Sequence, residues 1–202
     1  MSGFLVFVAA TANPHKLIEM RAALDGVAKL LERPAALGEV REDGDTLEAN
    51  ARTKAVAVAG FAGAPALADD TGLEVDALDG APGVYSARYA GPAAGDEANV
   101  AKLLAALGDV PPELRTARFR TVVVARWPDG RELVADGVVE GAIAAEPRGS
   151  RGFGYDPVFV PSPGESTFAE LSLEAKGAVS HRGRALRELA RLLAAAGAGR
   201  CR

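Results

Sequence analysis

Several things are scarce or missing in this chain of 202 residues, and each narrows what the chain can be. Cysteine occurs once, at Cys201 beside the C-terminus, so no internal disulfide can form and a reducing compartment is expected. Positive charge is not in excess: 23 Lys and Arg stand against 27 Asp and Glu, a formal net charge of −4. That argues against a nucleic-acid partner, which wants a basic face, but leaves a small anion open if a metal and local Lys or Arg supply the charge. No apolar run is long enough to span a bilayer. Phe4 to Ala10 is short and has no basic segment ahead of it, so it reads as a first strand and not as a signal peptide. No membrane and a cytoplasmic location are therefore expected. Internal repeats and low-complexity linkers are also absent. What remains is ordinary for a soluble globular chain, with 49% hydrophobic and 25% charged residues. The length suits one domain over residues 1–202, built as a single body or as two tightly joined lobes.

The stretch that organises the chain is Ala68-Asp69-Asp70-Thr71-Gly72-Leu73-Glu74-Val75-Asp76, continuing to Tyr89. An apolar run, Pro65 to Ala68, meets two carboxylates, a hydroxyl and a glycine, the pattern of a buried strand whose end opens into a site. Along a regular strand Asp69 and Asp70 point to opposite faces. At a strand end, with Gly72 turning the backbone, both could approach one hard cation such as Mg²⁺. A plain turn with solvated acids is the competing reading.

Around that centre the chain alternates strand and helix signals. The Phe4–Ala10 strand, continuous enough to be buried on both faces, runs into Thr11-Ala12-Asn13-Pro14-His15-Lys16 and a helix to Leu24. Asn13 is the expected N-cap, Pro14 opens the first turn, and the helix N-terminus offers N–H groups and dipole to an anion. Lys16 there opposes the dipole, which a bound phosphate would explain. The glycines and Lys-Ser/Thr ending of a Walker A loop are missing. Val27 to Leu37 reads as a second strand and turn, followed by an acidic loop, 39–45, that contains Glu42. A helix from Thr46 to about Gly60 puts Asn50 and Lys54 on one face. Asp96 to Leu107 is a helix with Asp96 as N-cap. Ala117 to Ala125 and Leu133 to Ile143 are strands joined by a Trp127-Pro128-Asp129-Gly130 hairpin turn that extends the sheet into a second lobe. The Ala-rich tail after Leu193 should fray.

Two further stretches carry chemistry. Phe153 lies between glycines in Ser150-Arg151-Gly152-Phe153-Gly154-Tyr155-Asp156-Pro157, a loop that presents a ring as a stacking surface for a base. Burial of Phe153 in the core is the alternative. Downstream, Lys176 precedes Ser180-His181-Arg182, where Ser180 caps the last helix and two cations sit in its first turn. Cations there are disfavoured by the dipole, which points to an acceptor-rich or anionic partner.

Taken together, Ala68 to Gly91, the Thr-x-Asn-x-x-Lys run, Phe-Gly-Tyr-Asp-Pro and Lys-x₃-Ser-His-Arg resemble the noncanonical purine nucleoside triphosphate pyrophosphatases, the inosine/xanthosine triphosphate enzymes. The likeness spans Thr11 to about Leu186 in the family's order. It implies an α/β fold with an elongated mixed central sheet flanked by helices, in two lobes with a cleft between them. It also implies Mg²⁺-dependent hydrolysis of ITP, dITP or XTP to monophosphate and pyrophosphate, and a homodimer, though no dimer seam is legible. By resemblance Thr11, Ala12, Asn13, Pro14, His15, Lys16, Lys54 and Lys176 contact the triphosphate, and Thr71 the ligand. Phe153, Gly154, Tyr155, Asp156, His181 and Arg182 would hold the nucleoside, with His181 and Arg182 donating to a six-oxo purine edge. Asp69, Asp70 and Glu42 would hold the metal, and Asp70 would activate the attacking water. Ala12 stands where the family has glycine. Ala49 stands where it has a glutamate, leaving Glu42 or Glu48 as the metal's further acid. Two other readings are an aspartyl-phosphate phosphatase, which wants Asp-x-Asp after the first strand where this chain has Thr11-Ala12-Asn13, and a nucleotide sensor without turnover.

Overall fold

β1, Leu5–Ala9, buries Phe7, Val8 and Ala9 and leaves Leu5 and Val6 exposed, so only its second half is covered on both faces. The structure, a computed structural model, describes residues 5–198. Phe4 and Cys201, both singled out in the sequence, lie outside the described residues.

Helix α1, Pro14–Ala23, starts from Asn13 as expected. Strand β2 is confined to Ala28–Leu31, and Ala35–Leu37 forms a 3₁₀ turn, so the second strand is shorter than the sequence suggested. Helix α2, Leu47–Ala62, is capped by Thr46, whose hydroxyl accepts the Ala49 N–H. Strand β3, Ala66–Val75, is the main departure: it does not end at the two aspartates but runs through Asp69, Asp70, Thr71 and Gly72 without a break. Strand β4, Pro82–Gly83, pairs antiparallel with it. Helix α3, Asp96–Leu107, is capped by Gly95 and not by Asp96, whose carboxylate instead accepts the Gly154 N–H at 2.6 Å. Strands β5, Thr116–Arg126, and β6, Glu132–Ile143, flank a tight turn closed by Gly130 N–H to Trp127 O. β7, Phe159–Pro161, then α4, Leu173–Val179, and α5, His181–Ala198, complete the chain. α5 continues as far as Ala198 into the Ala-rich tail that was expected to fray, a composition with high helix propensity.

Among the described residues the sheet has seven strands in the order β2-β1-β3-β5-β6-β7, with β4 on β3. β1 runs parallel to both β2 and β3, whereas β3–β4 and β6–β7 are antiparallel. The sheet is mixed, as the family likeness implied.

The chain divides into two compact units. The first comprises Met1–Asp70, Thr121–Gly137 and Arg182–Arg202. Its core joins Phe7, Leu30 and Leu67 of the sheet to Met20 and Leu24 of α1 and to Ala185, Leu186 and Leu189 of α5. The three-and-four spacing of those α5 positions makes one apolar stripe. The second comprises Thr71–Arg120 and Val138–His181. There Val100, Leu103 and Leu107 of α3 pack with Leu73, Val75 and the Phe119, Phe159 and Phe168 rings.

Candidate active site

Because β3 is regular, its adjacent aspartates face opposite ways, and each meets its own set of partners. On one side Asp69 Oδ2 accepts Arg182 Nε at 3.0 Å and lies 3.3 Å from Lys16 Nζ. The Arg182 fork also reaches Glu19. On the other side Asp70 Oδ1 accepts Lys54 Nζ at 2.9 Å, and Asp70 Oδ2 accepts the Asn50 amide at 3.3 Å. Asn50 and Lys54 come from successive turns of α2, the shared face expected from their spacing. Lys54 Nζ also donates to Glu42 Oε2 at 2.7 Å.

Burial penalises charged groups unless they are paired, and here pairing wins. Burial by itself would raise the Asp69 carboxyl, but Lys16, Arg182 and Lys54 outweigh it and hold the group well below the usual carboxylate range. Burial would lower the Lys54 ammonium, yet Asp70, Asp69 and Glu42 leave it raised. Arg182, 2% exposed, is raised too: Asp69 and Glu19 overcome its desolvation.

The three carboxylates expected to bind one metal do not converge as a set. Among the described residues no three His, Cys, Asp or Glu side chains form a ready ligand group. Asp69 is turned to Lys16 and Arg182, while Glu42 and Asp70 meet across Lys54. Glu48 drops out, since it pairs with Arg52 on the surface of α2. Glu42 and Asp70 nonetheless offer the hard oxygen donors that a divalent cation selects. The charge balance points the same way. Four carboxylates (Glu19, Glu42, Asp69 and Asp70) face three cations (Lys16, Lys54 and Arg182), one negative charge in excess, so a polyanion needs an added cation to be held here.

The N-terminus of α1 is less open to an anion than expected. Pro14 has no N–H, His15 and Lys16 donate theirs to Asn13 Oδ1, and Leu17 donates to Asn13 O. Asn13 in turn donates its N–H to Thr11 Oγ1. The stretch from Thr11 to Lys16 therefore offers its lysine and not a ring of backbone donors. Ala12 and His15 are exposed, and Thr71 continues β3.

In the second unit the loop after Arg151 is organised by one acid. Asp156 accepts the Phe153 N–H at 2.9 Å and is ion-paired to Lys176. Gly152, at φ +74°, passes so close that a Cβ there would sit 2.0 Å from Asp156 Oδ2. Phe153 is half-buried, lies outside the core clusters, and carries the Lys176 ammonium 4.9 Å from its ring centre. Tyr155, expected beside the nucleoside, is a core residue whose hydroxyl donates to Ser86 O, so its ring has a structural task. His181 is buried and stacked on Phe119 at 4.5 Å. Arg182 belongs to the first unit, where its guanidinium pairs with Asp69 and Glu19.

One participant was missed. Glu19 lies three residues after Lys16 on α1, and that spacing was the available signal. Asn50, expected on one face of α2 with Lys54, is a direct partner of Asp70.

The Ham1 family pattern matches residues 7–192. This chain belongs to the Ham1 family. Among its Ham1 relatives, the dITP/XTP pyrophosphatase of Geobacter sulfurreducens is 55% identical, covering 89% of this chain and 92% of that protein. The dITP/XTP pyrophosphatase of Desulforamulus reducens is 50% identical over 92% and 94%. In three dimensions a HAM1 protein from Coxiella burnetii matches with a TM-score of 0.84 at 41% identity, over 95% of this chain and 99% of that one. The Ham1 fold thus accounts for nearly the whole molecule.

Proposed function

We propose that the chain hydrolyses inosine, deoxyinosine and xanthosine triphosphates to monophosphate and pyrophosphate, acting as one pyrophosphatase domain over residues 1–202. The observation that carries this is the paired aspartates on β3, each with its own cations, in a member of a family whose relatives bear that activity in their names. No helix among the described residues is long and apolar enough to cross a membrane, and a small-molecule nucleotide is the proposed partner. A homodimer and a cytoplasmic setting complete the proposal.

The residues divide the work. Asp70, which accepts from Lys54 and Asn50, orients the attacking water and takes its proton. Lys16 and Lys54 bind phosphate oxygens and offset charge as pyrophosphate leaves. Asp69 keeps Lys16 and Arg182 in place. Mg²⁺, when bound, would supply Lewis-acid stabilisation of the departing charge, with Glu42 and Asp70 as its protein ligands. Phe153 offers its ring to the base, and Asp156 and Lys176 fix that loop.

The test is a panel of nucleoside triphosphates with Mg²⁺, scored for pyrophosphate against orthophosphate. Pyrophosphate should appear with the inosine and xanthosine compounds and barely with adenosine triphosphate. Orthophosphate release, or no turnover of any six-oxo purine, would overturn the reading.

A further inference from the structure

Lys54 sits where two acids meet. Its Nζ is 2.7 Å from Glu42 Oε2 and 2.9 Å from Asp70 Oδ1, and the residue is only 7% exposed. A cation bridging those oxygens would have to take the place the ammonium holds, and two positive charges cannot share it. Nor can Lys54 simply withdraw, because a buried ammonium without a partner costs several kcal/mol. It can leave only toward another anion.

The loop bearing Glu42 does not depend on Lys54 alone. Two residues on, Gly44 N–H donates to Asn50 Oδ1 at 2.8 Å, and the contact is so close that a Cβ on Gly44 would lie 2.8 Å from that oxygen. The same amide gives its NH₂ to Asp70, and Asn50 is 1% exposed. Since Oδ1 is committed to an N–H, the orientation of the amide is fixed. The Asn50 amide therefore ties the loop that bears Glu42 to Asp70 independently of the ammonium.

We infer that Lys54 is a built-in stand-in for the divalent cation, holding the Glu42–Asp70 position in the free protein and yielding it when a polyphosphate takes up its ammonium. Cation and polyphosphate then bind cooperatively, each improving the other's affinity by the same factor. The inference rests on assigning Glu42 and Asp70 to the cation under the proposed function.

Mn²⁺ serves as the probe, measured by the paramagnetic resonance of the free ion against the full chain with no nucleotide present. The wild-type protein should bind it weakly. Lys54→Met should bind at least tenfold tighter, and Lys54→Arg, which keeps the charge, should stay within threefold of wild type. Adding Glu42→Gln to Lys54→Met should return binding to the weak level. A Lys54→Met protein that binds Mn²⁺ no tighter than wild type, or whose gain survives Glu42→Gln, overturns the inference. Should Lys54→Met not fold, Lys54→Gln carries the same comparison. With no nucleotide in the measurement, a failed pyrophosphate assay beside a positive Mn²⁺ result would fault the substrate assignment and leave the role of Lys54 standing.

Discussion

Under the proposed function, Asp70 is the residue on which the chemistry turns. Asp70→Asn keeps the shape and removes charge and basicity, so turnover should fall roughly 10²–10⁴-fold while the melting temperature stays near wild type. Activity within threefold would remove Asp70 from the mechanism. Arg182 calls for a different expectation. It is buried between Asp69 and Glu19, so Arg182→Ala leaves two carboxylates without their shared cation. Stability should drop by about 3–5 kcal/mol, read from chemical denaturation, and inosine and adenosine substrates should slow alike. A change confined to selectivity would return Arg182 to the base edge. The identities at both positions were legible in the sequence, since carboxylates after an apolar run and a cation in a first helical turn are unusual enough to notice. The pairing of Arg182 with Asp69 was not, because 113 residues separate them and no local rule spans that distance.

At the scale of elements, the strand–helix alternation and the Asn13, Thr46 and hairpin signals were readable because they are local. β3 was misjudged at Asp69-Asp70-Thr71-Gly72, good turn chemistry in isolation. Pairing with neighbouring strands overrides that preference and keeps the chain extended. The loop from Gly152 to Asp156 makes two predictions. Gly152→Ala forces a Cβ into the Asp156 carboxylate at a φ that side chains avoid, costing roughly 1–3 kcal/mol. The Asp156–Lys176 pair should then break, seen as weaker nucleotide binding by calorimetry, and unchanged binding would show the loop to be irrelevant. Phe153→Ala should weaken binding of every base by about 1–3 kcal/mol through lost stacking. Because Phe153 lies outside the core clusters, its thermal stability should hold; a large loss with normal binding would make it a core residue.

For the molecule as a whole, acid is the informative variable. Asp69 has a depressed carboxyl because its cations outweigh its burial, so the unfolded chain binds the proton more readily than the folded one. Its contribution is fully present above about pH 4, the ordinary carboxylate value, and is lost as pH falls through the depressed folded value. Denaturant titrations from pH 5 to pH 2 should show stability falling, with a shallower fall in Asp69→Asn, which also starts lower at neutral pH. Equal slopes would mean that Asp69 is not a source of the acid sensitivity.

The division into two units has a consequence for inheritance. The chain passes from one unit to the other at Asp70–Thr71, Arg120–Thr121, Gly137–Val138 and His181–Arg182, three of them inside strands. No single cut in the gene separates the units, and exchanging one of them with a relative would need four simultaneous crossovers, three of them splicing through the middle of a strand. A single crossover between relatives therefore never exchanges one whole unit, because each unit draws on more than one stretch of the gene.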